Sequence, residues 1–258
     1  MNSVDAMKKI NHSKDKNTSK PDVLYSQPRE AISAFVFDEN VVDVFEDMIG
    51  RSVPGYTTLL SMFPVLARSF VTRDSCCYDL GCSLGASTLS MRSRLQNIPC
   101  HMVAVDNSEA MVEKCRVNVN LASGPEVDVL CDDIRKVDIN NASLAVLNFT
   151  LQFLPIADRE ILLKNIADNM MPGGALVLSE KIAFENEAEA RLNEELHLSF
   201  KKANGYSELE IAQKRSAIEN VLIPETLNTH LDRLKQAGFG QAQVWFQCFN
   251  FVSIIAVK

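Results

Sequence analysis

Short apolar runs alternate with amphipathic stretches through the middle of this chain, and this alternation limits the folds open to it. The apolar runs cover 76–80, 101–105, 127–131, 143–149 and 175–179. The stretches between them, around 86–95, 109–120 and 158–170, carry apolar residues at helical spacing. Strands that alternate with helices pair in parallel and have helices on both faces of their sheet. The sequence therefore predicts a mostly parallel α/β sheet.

The C-terminal part departs from this rhythm. A helical insertion at about 186–221 and a further helix around 226–237 precede two apolar runs, 243–247 and 250–257. Too few residues separate the two runs for a crossover helix, so they must form an antiparallel hairpin. A mostly parallel seven-stranded sheet with such a hairpin resembles the Rossmann-like class I S-adenosylmethionine-dependent methyltransferase fold.

Composition bounds the domain organisation and the partners. The first 30 residues are polar and lysine-rich, so we expect a disordered leader at 1–30 and one domain at 31–258. A net charge of −7 argues against direct nucleic-acid binding and favours a small-molecule partner. Because no apolar run has the length of a membrane span, we expect no membrane association and a cytoplasmic location.

Cysteine and histidine spacing gives no sign of a metal centre. The seven cysteines include no C-x-x-C pair, and the four histidines are scattered along the chain. We predict neither a disulfide framework nor a zinc site, and we expect the thiols to be reduced.

A glycine turn follows the first predicted strand. The sequence Asp79-x-Gly81-x-Ser83-x-Gly85 opens a helix, and its small residues let backbone N–H groups approach a ligand closely. We predict that a polar ligand lies on this turn.

Three further polar groups follow predicted strands: Asp106, Asp132-Asp133-Ile134 and Asn148. Parallel strands end at one edge of a sheet, so these groups should gather beside the glycine turn. Asp106 is suited to two ribose hydroxyls, and the second group to an adenine amino group and ring nitrogen. Asn148 would face the reactive end of the ligand. The pattern favours an adenosine ligand, although each residue alone could instead cap a helix.

Other functions remain open from the residues themselves. Gly81-x-Ser83-x-Gly85 matches the nucleophile elbow of α/β-hydrolases, but only His197 and His230 follow it and both lie in predicted helices. An ordinary S-adenosylmethionine-dependent small-molecule methyltransferase and a non-catalytic adenosine-binding protein are further alternatives. The run 148–153 lacks the proline pair of DNA and protein amino-methyltransferases, which disfavours an amino-group target.

Longer runs carry a more specific resemblance. They are Phe37-Asp-Glu39, Arg51-Ser-Val-Pro-Gly-Tyr56, Tyr78-Asp-Leu-Gly-Cys-Ser-Leu-Gly85, Leu147-Asn-Phe-Thr-Leu-Gln-Phe-Leu154, Pro172-Gly-Gly-Ala-Leu-Val-Leu-Ser-Glu-Lys181, Lys202-Ala-Asn-Gly-Tyr-Ser-Glu-Leu-Glu210, Gln213-Lys-Arg215 and Trp245-Phe-Gln-Cys-Phe-Asn250. With these runs, residues 37–258 resemble the carboxy-S-adenosyl-L-methionine synthase family.

The resemblance implies an enzyme that converts S-adenosyl-L-methionine and prephenate to carboxy-S-adenosyl-L-methionine, phenylpyruvate and water. In that reaction prephenate loses carbon dioxide, which a methyl ylide of the sulfonium captures. The family works in tRNA modification, at the wobble uridine, as a homodimer, and its product passes to a tRNA carboxymethyltransferase. We expect the same of this chain.

The resemblance also implies the ligand contacts. They are Tyr56, Gly81, Cys82, Ser83, Asp106, Asn107, Asp133, Ile134, Asn148 and Arg215. Arg215 is the implied catalytic residue, holding the new carboxylate from its own or a neighbouring subunit. Lys201 and Lys202 are expected to attract prephenate together with Arg215, and Ser83 is expected to contact the ligand without acting as a nucleophile.

Overall fold

The computed structural model describes residues 20–29, 31–219 and 221–258, and its centre is one mixed sheet. Seven strands lie side by side in the order β3-β2-β1-β4-β5-β8-β7, and the short β6 pairs with β5. The strands are β1 (Cys76–Leu80), β2 (His101–Asp106), β3 (Val127–Cys131), β4 (Ala142–Asn148), β5 (Met170–Ala183), β6 (Glu225–Thr226), β7 (Gln241–Cys248) and β8 (Phe251–Val257).

Strand directions confirm the predicted topology. The first five strands pair in parallel, whereas β8 runs antiparallel to both β5 and β7. The α/β class with a C-terminal hairpin is therefore correct. β5 begins earlier than the predicted 175–179 because Met170 already pairs with Ala142. A register shift follows, with Gly173 in the left-handed region, before the regular pairing resumes at Ala175.

Nine α-helices surround this sheet in the described part of the chain. They are α1 (Glu39–Val42), α2 (Phe45–Ser52), α3 (Tyr56–Phe70), α4 (Ala86–Arg92), α5 (Glu109–Asn120), α6 (Ile156–Asp168), α7 (Glu187–Ala203), α8 (Glu208–Ile218) and α9 (Leu227–Ala237). Side chains cap several starts: Ser108 begins α5, Asn186 begins α7, and Ser207 with Glu210 forms a capping box on α8. No helix among the described residues is long and apolar enough to cross a membrane.

Apolar side chains cover both faces of the sheet. On one face Leu147 and Leu178 pack with Ile166 of α6. On the other, Val146 packs with Phe63 of α3. Burial on both faces explains why the central strands read as unbroken apolar runs, and it holds their carboxyl ends in fixed positions.

Residues 20–29 correct part of the expected leader. Asp22 and Tyr25 are buried, Asp22 accepts a hydrogen bond from Lys214 Nζ at 3.1 Å, and Gln213 Nε2 donates to the Tyr25 carbonyl at 2.9 Å. Disorder is the wrong prediction for this segment, because it packs on α8. Residues 1–19, where the rest of the expected leader falls, lie outside the described residues.

Candidate active site

The glycine turn after β1 forms the floor of the site. Gly81 and Gly85 have φ angles of +90° and +86°, and Ser83 shares the left-handed region at +49°. A Cβ on Gly81 would collide with the side chain of Thr150, which follows β4. Glycine is therefore required at Gly81 for two reasons: its backbone conformation and the close approach of the β4 loop.

Asp106, at the end of β2, fixes the conformation of this turn. Its Oδ2 accepts the Ser83 N–H at 2.9 Å, and its Oδ1 accepts the Ser108 N–H at 3.0 Å. The cap of α5 is the Ser108 hydroxyl, which accepts the Met111 N–H at 3.3 Å. Burial raises the pKa of Asp106. The carboxylate is thus held by two backbone donors and keeps further acceptor capacity for ligand hydroxyls.

A cavity of about 290 Å³ opens above the turn. Of the predicted ligand contacts, it is lined by Gly81, Ser83, Asp106, Asn107, Asp133, Ile134 and Asn148. These residues come from four different strand ends, as the parallel topology requires.

A second cavity, of about 300 Å³, lies on the other side of the turn. Three predicted contacts do not line the first cavity: Tyr56, Cys82 and Arg215. Of these, Tyr56 and Cys82 line the second cavity. Gly81, Ser83 and Asn148 line both. A ligand lying across the turn would therefore reach both cavities.

Two buried acceptors beside the turn lack partners among the described residues: Oδ1 of Asp79 and Oδ1 of Asn148. The other Asp79 oxygen accepts the Thr88 hydroxyl at 2.5 Å, and Asn148 Nδ2 donates to the Ser87 hydroxyl at 3.1 Å. Burial raises the pKa of Asp79 to about 6. Since buried acceptors without donors are unfavourable, a ligand with ammonium or hydroxyl donors fits this place.

Asp133 is paired with a residue that sequence reasoning did not single out. Arg135 Nε donates to both Asp133 oxygens, at 2.9 and 3.0 Å, and its guanidinium also contacts Asp158. Hydrogen bonds from Arg135 lower the pKa of Asp133 to about 2. Asp133 is therefore a fixed carboxylate at the cavity wall, with lone pairs left for an amino group.

A group of basic side chains lines the first cavity beyond Phe149: Lys181, His197, Lys201 and Lys214. Only Lys201 was predicted. Burial lowers the pKa of Lys181, and burial with the charge of Lys181 lowers the pKa of Lys201 to about 7. Burial likewise lowers the pKa of His197 to about 3, so that its ring is neutral near pH 7.

Arg215 lies apart from the other predicted contacts. It lines neither cavity, and its guanidinium forms an ion pair at 2.9 Å with Glu194 on α7, with half of its side chain exposed. Lys202 is likewise exposed and pairs with Glu208 at 2.7 Å. Within one subunit both side chains lie outside the two cavities, and each is paired with a glutamate. A role for Arg215 in a neighbouring subunit stays a prediction.

The geometry does not support the hydrolase alternative. The Ser83 hydroxyl lies 3.5 Å from Met111 Sδ, whereas His197 Nε2 bonds the Ser52 carbonyl at 2.8 Å. His230 is buried on α9 with neither ring nitrogen hydrogen-bonded. Neither His197 nor His230 therefore activates Ser83. Among those residues there is also no cluster of three or more metal-ligating side chains.

Comparisons with known proteins agree with this fold. Residues 78–174 match the family model described as a methyltransferase domain. The fold is similar to human N-acetylserotonin methyltransferase in complex with S-adenosylmethionine, at a TM-score of 0.59 and 17% identity over 85% of this chain and 55% of that one. It is also similar to magnesium protoporphyrin IX methyltransferase from Synechocystis, at 0.55 and 14% over 82% and 87%. The fold is that of a class I S-adenosylmethionine-dependent methyltransferase.

Similarity in sequence is more specific. The chain is 57% identical to a carboxy-S-adenosyl-L-methionine synthase of Shewanella putrefaciens over 94% of its length and 100% of the relative. It is 55% identical to one of Actinobacillus pleuropneumoniae over 92% and 99%. The chain belongs to the carboxy-S-adenosyl-L-methionine synthase family.

Proposed function

We propose that this chain converts S-adenosyl-L-methionine and prephenate to carboxy-S-adenosyl-L-methionine, phenylpyruvate and water. The observation that carries the proposal is the identity of 55–57% to synthases of that name along almost the whole of both chains. An ordinary methyltransferase shares the fold but does not account for similarity that extends over the insertion and the hairpin. That alternative is not favoured.

The nucleoside half of S-adenosyl-L-methionine would lie in the first cavity. Asp106 would accept hydrogen bonds from the ribose hydroxyls, while the backbone N–H groups of Ser83 and Ser108 hold its carboxylate in place. The backbone at Ile134 and the carboxylate of Asp133 face the adenine. The methionine half would cross the glycine turn, where Asp79 and Asn148 present their free oxygens to donors.

In this reaction one carboxyl group moves from prephenate to the methyl carbon. Prephenate loses carbon dioxide and hydroxide, its ring becomes aromatic, and the methyl group loses a proton that leaves with the hydroxide as water. The carbon dioxide then becomes the new carboxylate. Phe149, Phe153 and Phe251 line this part of the cavity, and such apolar walls would limit the escape of carbon dioxide and the entry of bulk water.

The proposed homodimer would form on the insertion. In α7 only His197 is buried, and Leu192 and Leu196, one turn apart on the same face, are 56% and 38% exposed. An exposed apolar stripe of this kind suits a second copy of the chain. Arg215 is bound to α7 through Glu194, so contact at α7 would bring its guanidinium close to a neighbouring subunit.

The proposed place of the product is the tRNA wobble-uridine modification of the family, by transfer to a tRNA carboxymethyltransferase in the cytoplasm. The full sequence carries a net charge of −7, which supports a small-molecule role without direct tRNA binding.

Mass spectrometry of turnover tests the function. The purified chain is incubated with S-adenosyl-L-methionine labelled in its methyl carbon, with and without prephenate. A labelled product heavier by one carboxyl group, formed only with prephenate and together with phenylpyruvate, supports the synthase. Release of S-adenosylhomocysteine as the only nucleoside product supports the methyltransferase alternative. Light scattering of the same sample tests the dimer.

A further inference from the structure

Lys201, Lys181, Lys214 and Arg215 are close enough for their charges to act on one another, and a neighbouring carboxylate neutralises two of the four. Lys214 Nζ lies 3.1 Å from Asp22, and Arg215 pairs with Glu194 at 2.9 Å. Lys181 and Lys201 differ: neither ammonium has a hydrogen-bonded carboxylate among the described residues, and both line the cavity. Glu194 is the acidic side chain that influences Lys181, and it is already paired with Arg215.

The two lysines flank a wall of rings. Lys181 lies near the end of β5, opposite Phe251 in the β5–β8 register, and Lys201 follows His197 by one turn of α7. The rings of His197 and Phe251 pack edge to face at 4.9 Å, and the ring of Phe149 lies 5.8 Å from that of Phe251. This wall adjoins Asn148, at the reactive end of the site.

We propose that Lys181 and Lys201 form a carboxylate clamp that holds the second substrate, a cyclic dicarboxylate, with its ring against Phe149 and Phe251. The inference rests on the proposed function, in which prephenate is that dicarboxylate. Both lysines lie outside the ten ligand contacts that the family resemblance implies. Lys201 is already expected from the sequence to attract prephenate, whereas the role of Lys181 and the pairing of the two lysines are new.

Electrostatics explains why an anion fits here. Burial lowers the pKa of both lysines, so each ammonium is held in surroundings that disfavour its charge. A bound carboxylate restores the lost stabilisation by supplying opposite charge and hydrogen-bond acceptors. Lys214 contributes less to such binding, since Asp22 already neutralises it.

The chemistry decides which carboxylate the clamp holds. Prephenate carries one carboxylate on its ring, which leaves as carbon dioxide, and one on its 2-oxo acid side chain. Pairing the leaving carboxylate with two ammonium groups would stabilise the ground state and slow its loss. The clamp therefore holds the 2-oxo acid carboxylate, which is retained in phenylpyruvate, and leaves the ring carboxylate free beside Asn148.

Steady-state kinetics of Lys181→Met and Lys201→Met test the clamp, with Lys202→Met as the matched control. Each cavity variant should raise the KM for prephenate by about 10- to 100-fold, the effect of losing a hydrogen bond to a charged group. The Kd for S-adenosyl-L-methionine should stay within about twofold of wild type, because the lost contact serves the other substrate. Lys202→Met should change neither constant. Phenylpyruvate, as a product inhibitor, should show a parallel rise in Ki.

Each other outcome has a distinct meaning. An unchanged KM in both cavity variants overturns the clamp, and so does an equal shift in Lys202→Met. An unchanged phenylpyruvate Ki overturns the assignment to the 2-oxo acid carboxylate. Lys201→Arg keeps the charge and should recover most of the lost affinity; no recovery, together with a lowered Tm, indicates a structural role and overturns the proposal. Wild-type protein that makes no carboxylated product from prephenate refutes the proposed function itself.

Discussion

The carboxylate of Asp106 accepts the backbone N–H of Ser83 at 2.9 Å, so the end of β2 holds the turn that follows β1. Two neighbouring strands thus share one hydrogen bond at the floor of the site. Ser83 has a φ of +49°, a conformation that few non-glycine residues adopt, and the bond to Asp106 helps to keep it there. The side chain of Asp106 therefore supports the backbone of the turn and is also a predicted ligand contact.

Asp106→Asn should weaken binding of S-adenosyl-L-methionine by about 10- to 100-fold, because the substitution removes a charged acceptor while keeping the shape of the side chain. Calorimetric titration measures the change. Asp128→Asn, an exposed aspartate on β3 outside both cavities, is the control and should leave affinity unchanged. Equal affinities for wild type and Asp106→Asn would contradict the assigned ribose contact.

Arg215 offers a test of action across the dimer. Arg215→Ala should leave S-adenosyl-L-methionine binding nearly intact and abolish retention of the carboxylated product, because only the product has the carboxylate that a guanidinium would hold. Arg191→Ala removes another exposed arginine, paired with Glu187, and should have no effect. Equal losses of both affinities would contradict the role given to Arg215.

Mixed dimers extend the same test. If Arg215 serves the neighbouring site, a dimer of one Arg215→Ala subunit and one Asp106→Asn subunit contains one complete site. Co-purified mixed dimers should then regain product formation that neither parent shows at low substrate concentration. Absence of recovery would place the action of Arg215 within its own subunit or remove it from catalysis.

Asp22 should contribute to stability through Lys214. Replacing Asp22 by asparagine leaves a buried ammonium without its counter-charge, and we expect a loss of about 3 kcal/mol or more in the free energy of unfolding. Chemical denaturation measures it. Asp43→Asn breaks an exposed pair with Lys20 and should cost about 1 kcal/mol or less. Similar losses in both variants would contradict this view of the segment.

The pair of Asp22 and Lys214 should also make the free energy of unfolding depend on pH. Burial raises the pKa of Asp22, but the charge of Lys214 and hydrogen bonds from Tyr206 and Lys214 outweigh it and lower the pKa below the ordinary 3.8. Because the pKa of Asp22 is lower in the folded state, its ionised carboxylate stabilises the fold fully above about pH 3.8, the ordinary pKa. This stabilisation is lost as the pH falls through the lowered folded-state pKa. In Asp22→Asn this part of the acid sensitivity should be absent.

Prephenate affinity should depend on pH through Lys201. Its pKa of about 7 reflects burial and the charges of Lys181, Lys214 and Arg215, and neutral His197 and the paired Glu194 also face this part of α7 and α8. Since the ammonium form binds the anion, KM should rise with increasing pH above 7, by at most about tenfold per pH unit. Measurements from pH 6 to 9 at saturating S-adenosyl-L-methionine should show this rise in wild type and Lys202→Met, and a flatter profile in Lys201→Met.

Local sequence signals were sufficient to predict the sheet and the grouping of most of the proposed ligand contacts at one edge of it. Asp106, Asp133 and Asn148 follow apolar runs, and in a parallel sheet strand ends converge, so position along the chain predicts position in space. The hairpin was predictable for a similar reason, because few residues separate its strands.

Contacts between distant segments could not be predicted in this way. Lys214 and Asp22 are far apart in sequence, and nothing local to either residue indicates a buried pair. Polar composition suggested disorder for residues 20–29, yet α8 supplies partners for their polar groups. Arg215 shows the opposite case: its motif is specific, but only the fold reveals that its side chain lies outside both cavities.

Lys181 could have been predicted from the sequence as a residue that faces the ligand cavity. It directly follows Glu180, at the end of β5 where ligands bind in such sheets. Glu180 is fully buried, whereas Lys181 lines the cavity, as expected for successive residues of a strand.

Because successive residues of β5 face opposite sides of the sheet, a shift of one residue along the strand exchanges the two faces. Inserting one residue between Gly174 and Glu180 would turn Lys181 toward the core and bring Glu180 to the cavity, which would replace a positive charge by a negative one. Such an insertion would therefore reverse the charge that the second substrate meets without replacing any residue of the strand. The spacing of residues along β5 is itself part of what selects an anion.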